Sequence, residues 1–267
     1  MIPTSIDGTD ITGATIDGTD VQEITVDGDV VFSAAPSNLP VAYSNLVAWY
    51  PFDSGTYGGS NPDDVTALFN PSQSGDSTAY DGTVNGASYQ SSGGVTDINA
   101  GANSGAFSFD GSNDYIEVSS GIINGDSSFT LSVWVNFDTL QDVSIIGETR
   151  GNSSGSFDVR YFQSDDDIKA SYPFQGTPVD TNQLNFSTNQ WFHIAYVRDG
   201  GNHDVYIDAI LEGSGSGSNF NADGNEFVLG ASYTFEDYLD GKLDDARVYN
   251  KALSSTEVDQ IYQNSEP

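Results

Sequence analysis

The chain has 267 residues, and its seven Lys+Arg against 39 Asp+Glu give a formal net charge of −32 at pH 7. Nucleic-acid binding requires a basic surface that this composition does not supply, and docking on an anionic membrane is disfavoured for the same reason. Cysteine is absent, so disulfides, thiolate nucleophiles and cysteine-ligated metals are excluded.

The acidic excess allows two interpretations. A divalent-cation protein would cluster its carboxylates, whereas a halophilic protein carries acid over its whole surface, where molar salt screens the repulsion to within about 3 Å. Lysine occurs at only three positions, and the acidic residues are spread along the chain. The sequence therefore favours a halophilic source. Aromatic residues make up 12% of the chain, which favours a folded core over disorder.

Neither a membrane span nor a secretion signal is predicted. No run of about 18 apolar residues occurs, and the segment from Met1 to Asp7 lacks the basic and apolar regions of a signal peptide. We therefore expect assembly in the cytoplasm, without membrane insertion.

The first 35 residues contain a ten-residue repeat. Ile6-Asp7-Gly8-Thr9-Asp10 recurs as Ile16-Asp17-Gly18-Thr19-Asp20 and, degraded, as Val26-Asp27-Gly28-Asp29. Because Asp-Gly favours tight hairpin turns, we predict a four-stranded meander with turns at these pairs; calcium-binding turns are the alternative. The module has too few apolar residues for its own core, so we predict that it anchors or assembles the protein. The apolar residues assigned to this contact are Ile6, Ile11, Ile16, Val21, Ile24 and Val26.

Residues 36–45 are predicted to be a linker because Pro36 and Pro40 interrupt them. Residues 46–267 show short alternating strands between turn-forming clusters, which is typical of an all-β sandwich or jelly roll. In Phe129–Phe137 the apolar residues fall on odd positions, which predicts a half-buried strand. A short helix is predicted at 254–262, with Ser254 and Glu257 as a capping box. The other predicted strands are Leu46–Phe52, Phe107–Phe109, Tyr115–Val118, Phe157–Phe162, Trp191–Val197, Val205–Asp208, Phe227–Gly230 and Gly241–Tyr249.

Five segments in order resemble those of laminin-G-like, concanavalin-A-like jelly-roll domains. The segments are Asn45-Leu-Val-Ala-Trp-Tyr-Pro-Phe-Asp53, Ala106-Phe-Ser-Phe-Asp-Gly-Ser-Asn-Asp-Tyr-Ile-Glu-Val118, Phe129-Thr-Leu-Ser-Val-Trp-Val135, Trp191-Phe-His-Ile-Ala-Tyr-Val197 followed by Val205-Tyr-Ile-Asp208, and Gly241-Lys-Leu-Asp-Asp-Ala-Arg-Val-Tyr-Asn-Lys-Ala-Leu-Ser-Ser-Thr-Glu-Val258. The resemblance covers about residues 45–263 and implies an antiparallel β-sandwich jelly roll, with the small N-terminal β module outside it.

The resemblance also implies a possible calcium ion, since relatives often hold one with loop carboxylates and carbonyls. The matching acidic positions are Asp53, Asp81, Asp244 and Asp245. The loop from Ser72 to Gly82 departs from the family pattern, and the alternative is that these are solvated surface acids.

Glycan-binding aromatics would lie in loops, where a ring can stack on a sugar face. Such positions are Tyr172, Phe174, Tyr233, Phe235 and Tyr238, which could equally contact a protein partner. Related glucanases use a Glu-x-Asp-x-x-Glu run, which this chain lacks, so no catalytic residues are assigned. We assign the tryptophans and His193 to the core and the run Asp165–Asp167 to a solvated turn.

These features lead to one functional hypothesis and two alternatives. The leading hypothesis is a structural virion protein of a virus infecting haloarchaea, such as a tail fibre, spike or capsid turret subunit. The module would dock on other virion proteins or form a homo-oligomer, and the jelly roll would bind a host-surface glycan or glycoprotein. The alternatives are a cellular carbohydrate-binding or adhesion module and, less favoured, a glycan-processing enzyme.

Overall fold

The computed structural model divides the chain into two compact units, Met1–Pro40 and Val41–Pro267. It describes six short strands between residues 5 and 33, and in the second unit residues 41–52, 80–97, 105–118, 121–123, 127–149, 156–172, 176–217, 226–232 and 235–267. Among these residues no helix is long and apolar enough to cross a membrane.

The strands described in the first unit pair as three antiparallel hairpins. They are β1 (Ser5–Ile6) with β2 (Thr9–Asp10), β3 (Thr15–Ile16) with β4 (Thr19–Asp20), and β5 (Glu23–Val26) with β6 (Asp29–Ser33). In the sequence, an Asp-Gly pair separates the two paired strands of each hairpin. The described pairings are thus one hairpin per repeat copy, and the four-stranded meander stays a prediction. Of the proposed anchor residues, Ile11 and Val21 lie outside the described residues, and the structure does not describe the other four side chains.

The second unit is a β-sandwich with one C-terminal helix, which confirms the predicted fold class. A 3₁₀ turn at Tyr43–Asn45 precedes the first strand of this unit. Its elements are β7 (Leu46–Tyr50), β8 (Thr83–Asn85), β9 (Ser88–Gln90), β10 (Thr96–Asp97), β11 (Ala106–Asp110), β12 (Tyr115–Val118), β13 (Ser128–Phe137), β14 (Val143–Thr149), β15 (Phe157–Phe162), β16 (Asp167–Tyr172), β17 (Gly176–Asp180), β18 (Trp191–Asp199), β19 (Asn202–Ile207), β20 (Ile210–Ser216), β21 (Glu226–Leu229), β22 (Asp240–Tyr249), α1 (Ser255–Asn264) and β23 (Ser265–Glu266).

Two antiparallel sheets form the sandwich. The eight-stranded sheet has the order β20-β19-β18-β13-β22-β11-β9, with β7 paired to the C-terminal half of β22. The seven-stranded sheet has the order β17-β16-β15-β14-β21-β12-β8. Between the sheets lies the main core, which includes the odd-numbered residues of β13 from Phe129 to Phe137.

The outer face of the eight-stranded sheet is covered by α1, which corrects the expectation that β13 is half-buried. The even-numbered residues of β13 are buried too, from Thr130 to Asn136. Trp134 stacks on Tyr262 of α1, with ring centroids 5.6 Å apart, and donates from Nε1 to Ser265 Oγ at 2.9 Å. Alternation in the sequence shows which side chains share a face of the strand. It does not show that a helix from a distant part of the chain covers the more polar face.

Helix α1 begins as the sequence predicts. Ser254 accepts a hydrogen bond from the Glu257 N–H, and the Glu257 side chain accepts one from the Ser254 N–H, which completes the capping box. Val258 and Ile261 are buried against the sheet, and each contributes about 1.5–3 kcal/mol by leaving water. Directly after the helix, β23 pairs with β10.

The three tryptophans lie in strands, but they are not equally buried. Trp49 and Trp134 are buried, as expected, whereas Trp191 at the start of β18 is only half-buried. Trp49 packs in the second core, beneath α1, together with Tyr249 and Leu253.

Candidate functional site

Two consecutive carboxylates, Asp244 and Asp245, lie at a β-bulge in β22. Ser132 of β13 pairs with Arg247, and Trp134 pairs with Asp244, so two residues of β22 oppose the single residue between them. Asp245 has a positive φ of 46°. A bulge redirects side chains, and this one lets neighbouring acids face the side of the sheet that α1 covers.

Asp245 is an ion-pair partner of Arg247. Its Oδ1 accepts hydrogen bonds from Trp49 Nε1 at 2.6 Å and from Arg247 Nε at 3.0 Å. Arg247 Nη2 also contacts Asp97, and the guanidinium lies 4.7 Å from the centroid of the Trp49 ring. These four residues, here called the Arg247 cluster, are at most 2% exposed. Burial raises the pKa of Asp245 to about 7, although Arg247 opposes this effect.

The four acidic positions proposed for calcium have different environments. Asp244 accepts backbone N–H groups, from Val95 at 2.7 Å and from Asp245 at 2.8 Å. Asp81 is half-buried just before β8, and Asp53 lies outside the described residues. Within the part of the chain that the structure describes, no three acidic or histidine side chains are grouped as a metal site. Asp244 therefore links β22 to the residue before β10, and Asp245 links β22 to Trp49 of β7. Calcium binding stays a prediction.

Both histidines are buried, which confirms the assignment of His193 to the core. The Nε2 atom of His193 lies 2.8 Å from Ser132 Oγ, and Nδ1 of His203 lies 2.5 Å from the Tyr196 hydroxyl. Burial lowers the pKa of His193 to about 3 and that of His203 to about 4. Both rings are therefore neutral at physiological pH.

The outer face of the seven-stranded sheet carries two cations in register. Arg160 of β15 pairs with Lys169 of β16, and both lie near the half-buried ring of Phe162. The Arg160 Cζ atom is 5.3 Å from its centroid and the Lys169 Nζ atom is 4.9 Å from it. Such distances allow cation–π attraction. We call these three residues the Arg160 face.

Carboxylates surround both cations. Arg160 forms an ion pair with Asp237 and lies 3.6 Å from Asp158. Lys169 Nζ lies 2.8 Å from Asp165, 3.2 Å from Asp167 and 3.7 Å from Asp180. Five carboxylates against two cations leave this region acidic, with both donors and acceptors of hydrogen bonds.

Asp158 is buried beneath this region, with 1% of its surface exposed. It pairs in register with Gly147, where an added Cβ would lie 2.7 Å from the Asp158 Cβ. Burial raises the pKa of Asp158 to about 7, against the opposing effect of Arg160. A carboxyl group near its pKa at neutral pH can either donate or accept a hydrogen bond.

An aromatic corner adjoins the Arg160 face. The Phe235 ring lies 4.9 Å from that of Tyr115 on β12, and Tyr238 follows three residues later. Both Phe235 and Tyr238 are half-buried. The segment is fixed by backbone bonds, since Phe235 N donates to Ser232 O at 2.8 Å and Leu239 N donates to Gly230 O at 2.9 Å.

The structure thus brings together two of the five aromatic residues proposed from the sequence. Tyr172 is the last residue of β16, but its side chain is not described, and Phe174 and Tyr233 lie outside the described residues. Sequence reasoning missed Tyr115, Phe162 and the two cations of the Arg160 face. The scarcity of Lys and Arg in the sequence could have indicated these two cations. In so acidic a chain, a Lys or Arg is expected to contact several carboxylates.

The run Asp165–Asp167 is only partly the solvated turn that we expected. Asp165 is exposed, but Asp167 is buried, and Asp166 at φ 52° accepts hydrogen bonds from the Tyr161 hydroxyl and the Asn185 N–H. The run therefore organises the loop beside the Arg160 face.

Comparison with known proteins agrees with this architecture. The sequence profile of the Laminin_G_3 family, described as the concanavalin A-like lectin/glucanases superfamily, matches residues 110–259. No curated protein matches the chain.

Solved structures of similar fold come from several settings. Domain 4 of AbnA, an extracellular arabinanase from Geobacillus stearothermophilus in complex with arabinotriose, is 22% identical with a TM-score of 0.56, covering 82% of this chain and 98% of the domain. The receptor binding domain of botulinum neurotoxin type G is 16% identical (TM-score 0.53), covering 82% of this chain and 51% of that one. Trypanosoma rangeli sialidase in complex with sialic acid is 14% identical (TM-score 0.58), covering 91% and 35%. At these identities the likeness is one of fold.

Proposed function

Because the chain belongs to the concanavalin A-like lectin/glucanases superfamily, we propose that it is an adhesive surface protein that binds glycan on the outer face of its seven-stranded sheet. The observation that carries this proposal is the aromatic corner beside the Arg160 face. The Phe235 and Tyr238 rings can stack on the apolar face of a sugar, as aromatic anchors do at interfaces. Arg160 and the carboxylates around it can bind the hydroxyl groups.

We further propose that this protein is a structural virion component of a virus infecting haloarchaea, such as a tail fibre, spike or capsid turret subunit. The charge of −32 with so few cations supports a high-salt environment. Several of those cations are engaged with carboxylates, as Arg160, Lys169 and Arg247 are, so the remaining acid repels itself unless salt screens it.

The division into two units supports an anchored arrangement. The first unit consists of repeated hairpins with very short strands in its described part. An isolated two-stranded hairpin is marginally stable in water, so we propose that the unit is completed by other virion proteins or by copies of itself. Many copies would convert weak glycan binding into avidity.

A cellular carbohydrate-binding or adhesion module of a haloarchaeon is the second candidate. The likeness to the arabinanase domain, whose structure contains arabinotriose, favours it. In either case we propose binding without catalysis, because the sequence lacks the paired carboxylate run of related glucanases.

A glycan array in molar KCl tests the binding proposal. The full chain should bind a subset of oligosaccharides, and Tyr238→Ala should weaken that binding roughly tenfold, the equivalent of about 1.4 kcal/mol. Tyr43→Ala is the control, since Tyr43 is exposed in the 3₁₀ turn, outside the aromatic corner. Unchanged binding by Tyr238→Ala would refute the assignment to this face.

Mass measurement of purified particles tests the virion proposal, and absence of the chain from them would favour the cellular candidate. Size-exclusion chromatography in molar salt tests the anchor. We expect an oligomer that dissociates when residues 1–40 are deleted. A monomer of full length, unchanged by the deletion, would refute assembly through the first unit.

A further inference from the structure

A solvent-open cleft of about 760 Å³ lies between the eight-stranded sheet and the start of α1. The cleft opens widely to solvent, so a bound molecule would keep one side in water. The cleft is on the side of the sandwich that α1 covers, whereas the Arg160 face belongs to the other sheet. One wall comes from β18 and β19, and the other from residues 251–257 and Gln260.

Tyr206 of β19 is the buried polar side chain of this cleft. Its residue surface is 7% exposed, and its hydroxyl forms no hydrogen bond within the described part of the chain. Burial and the nearby Asp204 raise its pKa, so the hydroxyl keeps its proton and can donate. The hydroxyl is not among the fully buried unpartnered atoms of the described residues, so it opens into the cleft, where it can donate to a bound molecule.

The charges in the cleft select against anions. Asp199, Asp204 and Glu257 oppose the single cation Lys251, which leaves a net charge of −2. Lys251 is itself ion-paired with Glu257. The N–H groups at the start of α1 do not form an open anion site, because the capping box already uses Ser254 and Glu257 there.

Acceptors and a small apolar surface remain in the cleft. Asp204 accepts one hydrogen bond from Ser214 Oγ at 2.6 Å, and Asp199 accepts one from Ser128 Oγ at 3.2 Å. A carboxylate has about four acceptor positions, so both can accept further hydroxyl groups. Ala252 and Leu253 add an apolar surface to the opposite wall.

We propose that this cleft binds a neutral oligosaccharide, with the Tyr206 hydroxyl donating to it and Asp199 and Asp204 accepting from its hydroxyl groups. The site is separate from the one proposed on the seven-stranded sheet, and either can fail without the other. A saccharide held on both sides of the sandwich would allow one subunit to bridge two glycan chains.

The test uses the full chain in molar KCl and an array of neutral oligosaccharides, including arabinotriose, beside sialylated and sulfated ones. We expect neutral oligosaccharides to bind. Tyr206→Phe keeps the buried ring and removes only the hydroxyl, so it should weaken binding about five- to tenfold. Asp204→Asn should weaken it as well, while Tyr43→Phe, the same substitution at an exposed residue, should leave it unchanged.

The two proposed sites are separated by comparing variants. A ligand weakened by Tyr206→Phe and not by Tyr238→Ala occupies the cleft, and the reverse pattern overturns the cleft while supporting the other face. Binding of acidic oligosaccharides alone, or of none, would also overturn this inference. Circular dichroism and thermal melting of Tyr206→Phe, which should match the parent protein, show that a loss of binding is not a loss of fold.

Discussion

The substitution Asp158→Asn should make the stability of the protein less dependent on pH. Asp158 is 1% exposed, and burial raises its pKa from 3.8 to about 7. Between these values the folded state holds a proton that the unfolded chain has lost. The resulting stabilisation is complete below about pH 4 and is lost as the pH rises to about 7. In this range the free energy of unfolding falls by about 1.4 kcal/mol for each pH unit. Between pH 5 and pH 7 the parent protein should therefore lose up to about 3 kcal/mol of stability relative to the variant.

Chemical denaturation in molar KCl at several pH values measures this difference. Both proteins share the remaining carboxylates, so the comparison isolates Asp158. The control is Asp165→Asn, because Asp165 is exposed and Lys169 lowers its pKa. Ionising this carboxyl group does not destabilise the folded state, so the control variant should not gain stability over the parent as the pH rises. The reasoning fails if the difference between parent and Asp158→Asn is independent of pH, or if the parent gains on the variant as pH rises. The first result would mean that Arg160 balances the effect of burial on the pKa of Asp158, and the second that it outweighs it.

Four further outcomes are expected. Arg247→Met leaves two buried carboxylates without their cation and should lower the free energy of unfolding by about 3–5 kcal/mol, measured by denaturation in molar salt. Gly230→Ala should cost about 1–3 kcal/mol in the same assay, because Gly230 has φ 83° and an added Cβ would lie 2.6 Å from the Phe109 ring. Ser254→Ala removes the cap of α1 and should cost about 1 kcal/mol, whereas Ser255→Ala should cost less. If calcium is bound, a chelator should lower the melting temperature in high salt and added calcium should restore it; an unchanged melting temperature would contradict the calcium prediction.

Strand positions were predictable where alternation and length were both clear. Tyr115–Val118 and Phe157–Phe162 were predicted with the observed bounds, and the strand from Phe129 was placed within one residue. Short strands such as β8 and β10 were missed because two or three residues do not establish a period. The longer strands β14, β16, β17 and β20 were missed as well, since strand formation depends on distant partners.

The roles of single acidic residues were less predictable. Nothing in the local sequence distinguishes Asp245, which is buried with Arg247, from an exposed aspartate such as Asp165. The difference arises from the bulge in β22 and from Asp97, which lies 150 positions from Arg247 in the chain. The resemblance to a family suggested calcium for Asp245, whereas the structure gives it an ion pair.

The pairing of β10 with β23 holds the last residues of the second unit in place. Ser265 pairs with Asp97 and also accepts the hydrogen bond from Trp134. Removing the residues from 265 onward would take away both contacts and loosen α1, so water would reach an indole that is now 2% exposed. Intrinsic tryptophan fluorescence would then shift to longer wavelength. The emission of Trp134 therefore reports whether β23 is paired with β10.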